Sequence, residues 1–185
     1  MRVEKTNLKD CFIIYDSVLN DSRGYFFESF NQKKFNQQTG LNINFVQDNQ
    51  SKSTKGVLRG MHFQTGEFSQ AKLVRVLEGS VLDIAVDLRN DSPSFGKSFS
   101  LELTSTNNKQ LFVPRGFAHG FIVLSSTATF FYKCDNFYNK DADGGFIYND
   151  ETLQLDWQLP KEELILSEKD KTLPSFNEIK HNLKF

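Results

Sequence analysis

The sequence predicts an all-β fold, a sandwich or barrel of many short strands, and three observations carry that prediction. Short apolar or alternating segments recur along the whole chain between turn signals, the pattern of sheets that stack or close on themselves. The breaks hold turn chemistry, as at Glu78-Gly79-Ser80, Asp91-Ser92-Pro93-Ser94 and Thr106-Asn107-Asn108. Aromatic residues make up 14% of the chain, 19 of them Phe, which suits broad pleated surfaces better than bundles of Leu-rich helices.

In chain order the strand segments are CFIIYD from Cys11, YFFESF from Tyr25, INFVQDN from Ile43, VLRGMHF from Val57 and KLVRVLEG from Lys72. They continue with SVLDIAVDLR from Ser80, KSFSLELT from Lys97, QLFVP from Gln110, FAHGFIVL from Phe117 and ATFFYKC from Ala128. Helical signal is confined to FNQKKFNQQTG, where Gly40 makes a stop, and to the KEELILSEKD region after Pro160. The fold is therefore expected to carry only a few short helices, mainly near the C-terminus. At 185 residues the chain is sized for one good core, so a single domain over 1–185 is expected.

Alternation also sorts residues by face. In SVLDIAVDLR, Leu82, Ile84, Val86 and Leu88 point one way, and Val81, Asp83, Ala85 and Asp87 the other. Phe117, His119, Phe121 and Val123 share a face, as do Ala128, Phe130, Tyr132 and Cys134, and as do Lys72, Val74 and Val76. A barrel lined by such faces is an aromatic pocket with a few polar groups, the usual makeup of a small-molecule site.

With 22 Lys and Arg against 23 Asp and Glu, no long-range field gathers nucleic acid or an anionic membrane. Any phosphate must be held by local residues. The N-terminus is polar, and no apolar run approaches the roughly 18 residues a membrane span needs, so a cytoplasmic protein is expected. Cys11 and Cys134 have no metal-type spacing and form no disulfide framework, which makes them structural thiols.

His181 lies in a polar C-terminal tail, leaving His62 and His119 as the candidates for chemistry. A lone strand histidine is more often a satisfied core residue, so each needs further support. A barrel metal site typically needs about three or four closely spaced ligands, and these two histidines stand far apart. No Ser lies in a Gly-x-Ser-x-Gly elbow, neither cysteine has a neighbouring histidine, and no Gly-rich phosphate loop occurs. What remains is acid–base chemistry by side chains alone, with no metal and no cofactor.

The segments DSRGYFFESF, FVQDNQSKSTKGVLRGMHFQ, QAKLVRVLEGSVLDIAVDLRNDSPSFGK, QLFVPRGFAHGFIVLS, YKCDNFYNKDADGGFIYND and LSEKD resemble the dTDP-4-dehydrorhamnose 3,5-epimerase family, cofactor-free epimerases of nucleotide sugars. They occur in the family's order and cover the chain from about Leu8 to Pro174. The resemblance implies a cupin-type jelly-roll homodimer, with a site inside each barrel and an N-terminal segment reaching the partner's site. It implies epimerisation of dTDP-4-keto-6-deoxy-D-glucose at carbons 3 and 5 to dTDP-4-keto-L-rhamnose.

By motif position, His62 is similar to the family's proton acceptor and Asp170 to the carboxylate that orients it. Tyr132 falls at the proton donor, and Lys72 at the cation near the enolate. Each role makes chemical sense: a proton beside a ketone needs a placed base and a group to meet the charge on oxygen. Inversion then needs a second residue to return the proton from the opposite face. The resemblance places substrate binding on Arg23, Phe26, Glu28, Gln47, Asn49, Arg59, His119, Tyr138, Asp143 and Lys169. Arg23, Arg59 and Lys169 would hold the diphosphate, Phe26 and Tyr138 would stack on the thymine, and Asp83 would pair with His119.

Three positions depart from the family pattern: Met61 stands for Leu, Asp143 for a Glu in contact with the nucleotide, and Glu151 for Pro. Arg59 and His62, three apart, would face opposite sides of a regular strand, so a bulge or bend is expected at Gly60. Two rivals stand beside the double epimerase. One is a mono-epimerase or ketoisomerase on a related dTDP-4-keto sugar, and the other a sugar-nucleotide binding module without turnover.

Overall fold

The computed structural model describes residues 1–185. The first half holds β1 (Arg2–Lys5), β2 (Phe12–Tyr15), β3 (Leu19–Asp21), β4 (Gly24–Phe26), α1 (Gln32–Thr39), β5 (Gln47–Thr54), β6 (Leu58–Gln64), β7 (Lys72–Glu78) and β8 (Ser80–Asp87). The second half holds β9 (Ser98–Thr104), β10 (Lys109–Val113), β11 (Phe117–Val123), β12 (Thr127–Cys134), β13 (Asp143–Gly145), α2 (Glu168–Lys171) and α3 (Phe176–Ile179). One sheet has the order β1-β2-β10-β7-β12-β5 and the other β13-β6-β11-β8-β9, a jelly roll of the cupin type. Strands β3 and β4 form a separate hairpin. No helix is long and apolar enough to cross a membrane.

Strand alternation builds the core in layers. Val81 and Ala85 of β8 enter the interior with Val74, Val76, Phe117, Phe121, Val123, Ala128 and Phe130, contributed by both sheets. Leu82, Ile84, Val86 and Leu88 point the other way, onto Phe146, Tyr148, Trp157, Phe176 and Leu183 of the C-terminal wrap. On the outside of the six-stranded sheet, Phe35 of α1 is fully buried on Phe12, Ile14, Leu73 and Phe112. Each such aromatic side chain contributes about 1.5–3 kcal/mol by leaving water.

Helix α1 follows the sequence reading. Asn31 caps it by accepting from Lys34 N, and Gly40 ends it at a φ of +74°. The KEELILSEKD region differs from the reading, because it is not one helix. A single 3-10 turn spans Lys161–Glu163, Ile165 bridges Val57 as a strand would, and only Glu168–Lys171 is α-helical. The backbone bonds from Leu58 N to Ile165 O and from Ile165 N to Gly56 O explain it, since a sheet edge offers partners that local helix propensity does not weigh. Helix α3, unforeseen in the sequence reading, is held by a capping box between Ser175 and Glu178.

The bend expected at Gly60 is present as a bulge. Phe121 faces Arg59 and His119 faces His62, so two steps along β11 match three along β6. The extra residue turns both Arg59 and His62 toward one cavity. Gly60 has a φ of +144°, and a Cβ on it would lie 2.6 Å from the Gly120 Cα. Gly60→Ala is therefore expected to lose about 1–3 kcal/mol or more in urea unfolding, because backbone meets side chain where neither can yield. Unchanged stability in that variant would contradict the close crossing.

Candidate active site

Between the two sheets lies a cavity of about 600 Å³. The five-stranded wall gives it Arg59, His62, His119 and Phe121, and the six-stranded wall gives Asn49, Ser51, Lys72, Phe130 and Tyr132. Ile165, Leu166, Ser167, Lys169 and Asp170 close it from the C-terminal side. Phe121 stacks on Phe130 across the gap at 4.1 Å, joining the two walls.

His62 meets Asp170 through Nε2 and Oδ1 at 2.6 Å. With that edge of the ring taken, Nδ1 is the ring nitrogen left without a protein hydrogen bond. Asp170 reaches the pair because Ser167 caps α2, its hydroxyl accepting from Asp170 N at 3.1 Å. Burial alone would raise the Asp170 carboxyl. The hydrogen bond and charge of His62, then Ser167 and Lys169, outweigh it and hold the group below its ordinary value.

His119 forms the second pair, its Nε2 lying 2.9 and 3.0 Å from the two oxygens of the fully buried Asp83. It sits directly across from His62 in the strand register, so two carboxylate-fixed imidazoles stand side by side.

On the facing wall Tyr132 is opposite Asn49 in register, and burial raises its phenol, so the hydroxyl keeps its proton. Burial lowers the Lys72 ammonium, against the pull of Cys134, Asp83 and Asp143, and its Nζ lies 5.9 Å from the Tyr132 ring centre. Cys134 is buried and free, and burial pushes its thiol up to about 11, which suits a structural role.

The other predicted positions divide into two groups. Gln47, Tyr138 and Asp143 form a chain of contacts joined to the lining residues Asn49 and Lys169: Gln47 donates to Asn49 Oδ1, Tyr138 N donates to Gln47 Oε1 at 3.1 Å, the Tyr138 hydroxyl donates to Asp143 Oδ2 at 3.2 Å, and Asp143 pairs with Lys169. Arg23, Phe26 and Glu28 lie outside the cavity of their own chain. Arg23 pairs with Asp21 on the exposed hairpin, and Glu28 pairs with Lys34. Ser53 and Ser167 escaped the sequence reading. Ser53, buried, accepts from Arg59 Nη2 at 3.3 Å, and its signal was the inward row Gln47, Asn49, Ser51, Ser53. The signal for Ser167 was the Ser-x-x-Asp spacing that ends at Asp170.

A fixed imidazole on one wall and a protonated phenol on the other are equipment for taking a proton and returning it, which puts the chain among the jelly-roll isomerases. Residues 5–178 match the family model of dTDP-4-dehydrorhamnose 3,5-epimerase. The enzyme of that name from Escherichia coli K12 is 48% identical over 179 residues, covering 97% of this chain and 96% of its own. The solved structure from Elizabethkingia anophelis is 57% identical with a TM-score of 0.94, covering 96% of this chain and 97% of its own. The dTDP-6-deoxy-D-glucose-3,5-epimerase of Legionella pneumophila, solved with dTDP-4-keto-L-rhamnose, is 41% identical with a TM-score of 0.94 and covers 99% of this chain and 97% of its own. The chain belongs to the dTDP-4-dehydrorhamnose 3,5-epimerase family.

Asp170→Asn keeps the shape of the pair and removes its charge, so turnover is expected to fall by about 10²-fold or more with the fold retained. Because the folded carboxyl titrates below its ordinary value of about 3.9, its stabilisation is complete above that pH and is lost as pH falls through the folded value. The stability gap between the parent and Asp170→Asn in urea unfolding should therefore be widest above about pH 5 and shrink toward pH 3. A gap that stays constant over that range would contradict an ionised Asp170 carboxylate in the folded protein.

Proposed function

We propose that the cavity epimerises dTDP-4-keto-6-deoxy-D-glucose at carbons 3 and 5 by proton transfer through an enolate, with His62 as base and Tyr132 as donor. The observation that carries this reading is the placement of the two groups on opposite walls of one cavity. A hexose ring lying between the walls shows one face to each. His62 Nδ1 takes the proton from the carbon beside the ketone, and Asp170 stabilises the imidazolium that results. The electron pair moves onto the ketone oxygen, where the Lys72 ammonium meets the charge in a site of low polarity. Tyr132 then gives a proton to the same carbon from the other face. The ketone activates the carbons on both its sides, so one oxyanion site serves both centres.

Arg59, braced by Ser53, and Lys169 at the mouth supply donors for the diphosphate, and the exposed Tyr138 ring offers a face to the thymine. The dTDP-keto sugar in the Legionella relative supports this assignment of ligand. The hairpin leaves Leu19, Tyr25 and Phe26 67%, 69% and 71% exposed, an apolar surface that suits burial in a second copy. A homodimer would bring Arg23, Phe26 and Glu28 to the partner's pocket. The free, buried cysteines fit a cytoplasmic setting.

The roles of base and donor are separable. His62→Asn should abolish both solvent exchange of substrate hydrogen and formation of the inverted product. Tyr132→Phe keeps the ring and the base, so inversion should fall by about 10²-fold or more while exchange into recovered substrate persists. Deuterium uptake measured beside product formation tests this. Equal loss of both signals in the Tyr132 variant would contradict the two-wall mechanism, and undiminished inversion would exclude Tyr132 as donor.

A further inference from the structure

Asp143 opens β13 and pairs with Lys169, which lines the cavity, yet its own side chain does not line it. Its carboxylate is spent on neighbours. Oδ2 accepts from the Tyr138 hydroxyl at 3.2 Å and is ion-paired with Lys169, and Oδ1 accepts from Gln64 Nε2 at 3.4 Å. Gln64 Oε1 in turn accepts from Asn139 N at 2.8 Å, and Gln47 Oε1 from Tyr138 N. One carboxylate thus ties a loop, a strand and the α2 helix together. A carboxylate turned toward a diphosphate would repel it, whereas one turned toward Lys169 and Tyr138 holds two flexible side chains before the ligand arrives.

We infer that Asp143 is a positioning residue that sets the Tyr138 and Lys169 side chains beside the pocket and does not itself touch the nucleotide. The inference rests on the nucleotide-sugar reading of the site. It assigns this chain's Asp a different task from the direct nucleotide contact expected of a longer Glu. The short side chain reaches the protein partners and stops there.

A double-mutant cycle on the full chain tests it, with thymidine diphosphate binding read by calorimetry. Asp143→Ala is expected to weaken binding about tenfold and Tyr138→Phe about threefold, with the double variant no weaker than Asp143→Ala alone, because both changes release the same tether. In turnover the Asp143→Ala loss should appear in KM, with kcat changed less than about twofold. Asp143→Asn, which keeps the volume and an acceptor for Tyr138, should recover part of the affinity and guards against a folding defect in the Ala variant. Multiplying losses in the double variant, or parental affinity in Asp143→Ala, would overturn the inference. Absence of binding by the unaltered chain would instead sink the nucleotide reading, and this inference with it.

Discussion

His62 and Asp170 stand 108 residues apart, and their 2.6 Å hydrogen bond forms only because the C-terminal segment wraps the barrel and returns to it. That return is built from ordinary forces. Phe146, Tyr148, Trp157 and Phe176 bury themselves on the outer face of the five-stranded sheet, and Trp157 is pinned there by donating to Tyr148 O at 2.8 Å. Ile165 then pairs with Val57 at the edge of β6, and Ser167 caps α2 so that Asp170 points inward. The wrap is therefore half core and half support for the His62–Asp170 pair. Loosening it would separate His62 from its carboxylate as well as costing the fold apolar burial.

The same economy governs the barrel interior. Layers of Val, Phe and Ala make a dry floor, with Phe121 and Phe130 stacked across it, and the polar groups above it gain strength from that setting. His119 shows how strictly buried polarity is satisfied, since both oxygens of Asp83 engage one ring nitrogen. Lys72 is the contrast. Burial lowers its ammonium, so in the proposed reaction a negative charge arriving on a substrate oxygen would favour its protonated form.

Much of this was legible in the sequence where a residue's direction follows from a two-residue period. The split of β8 into Val81 and Ala85 on one side and Leu82, Ile84 and Val86 on the other appears unchanged in the two core clusters, and Asp83 meets His119. Gly40 was legible because a helix stop answers a local demand of the backbone, and the bend at Gly60 because Arg59 and His62, three apart and assigned by the resemblance to one pocket, cannot share a face of a regular strand. The straightening of Leu164–Leu166 was not, since its partners lie on β6 and no local propensity records them. Strands β1 and β13 carry too few apolar residues to show alternation, and pairing with longer neighbours defines them. The residues proposed for chemistry were found through motif resemblance. Periodicity gave only their faces, and the contacts of Asp143 and Ser53 needed three dimensions.

In the proposed reaction protons leave and return at the two carbons flanking the ketone within a single cavity. Turnover of dTDP-4-keto-6-deoxy-D-glucose by the unaltered chain in heavy water, with the product read by NMR, tests it most directly. Deuterium is expected at both carbon 3 and carbon 5 of the inverted sugar. Inverted product without solvent deuterium at those positions, or label at only one of them, would contradict it.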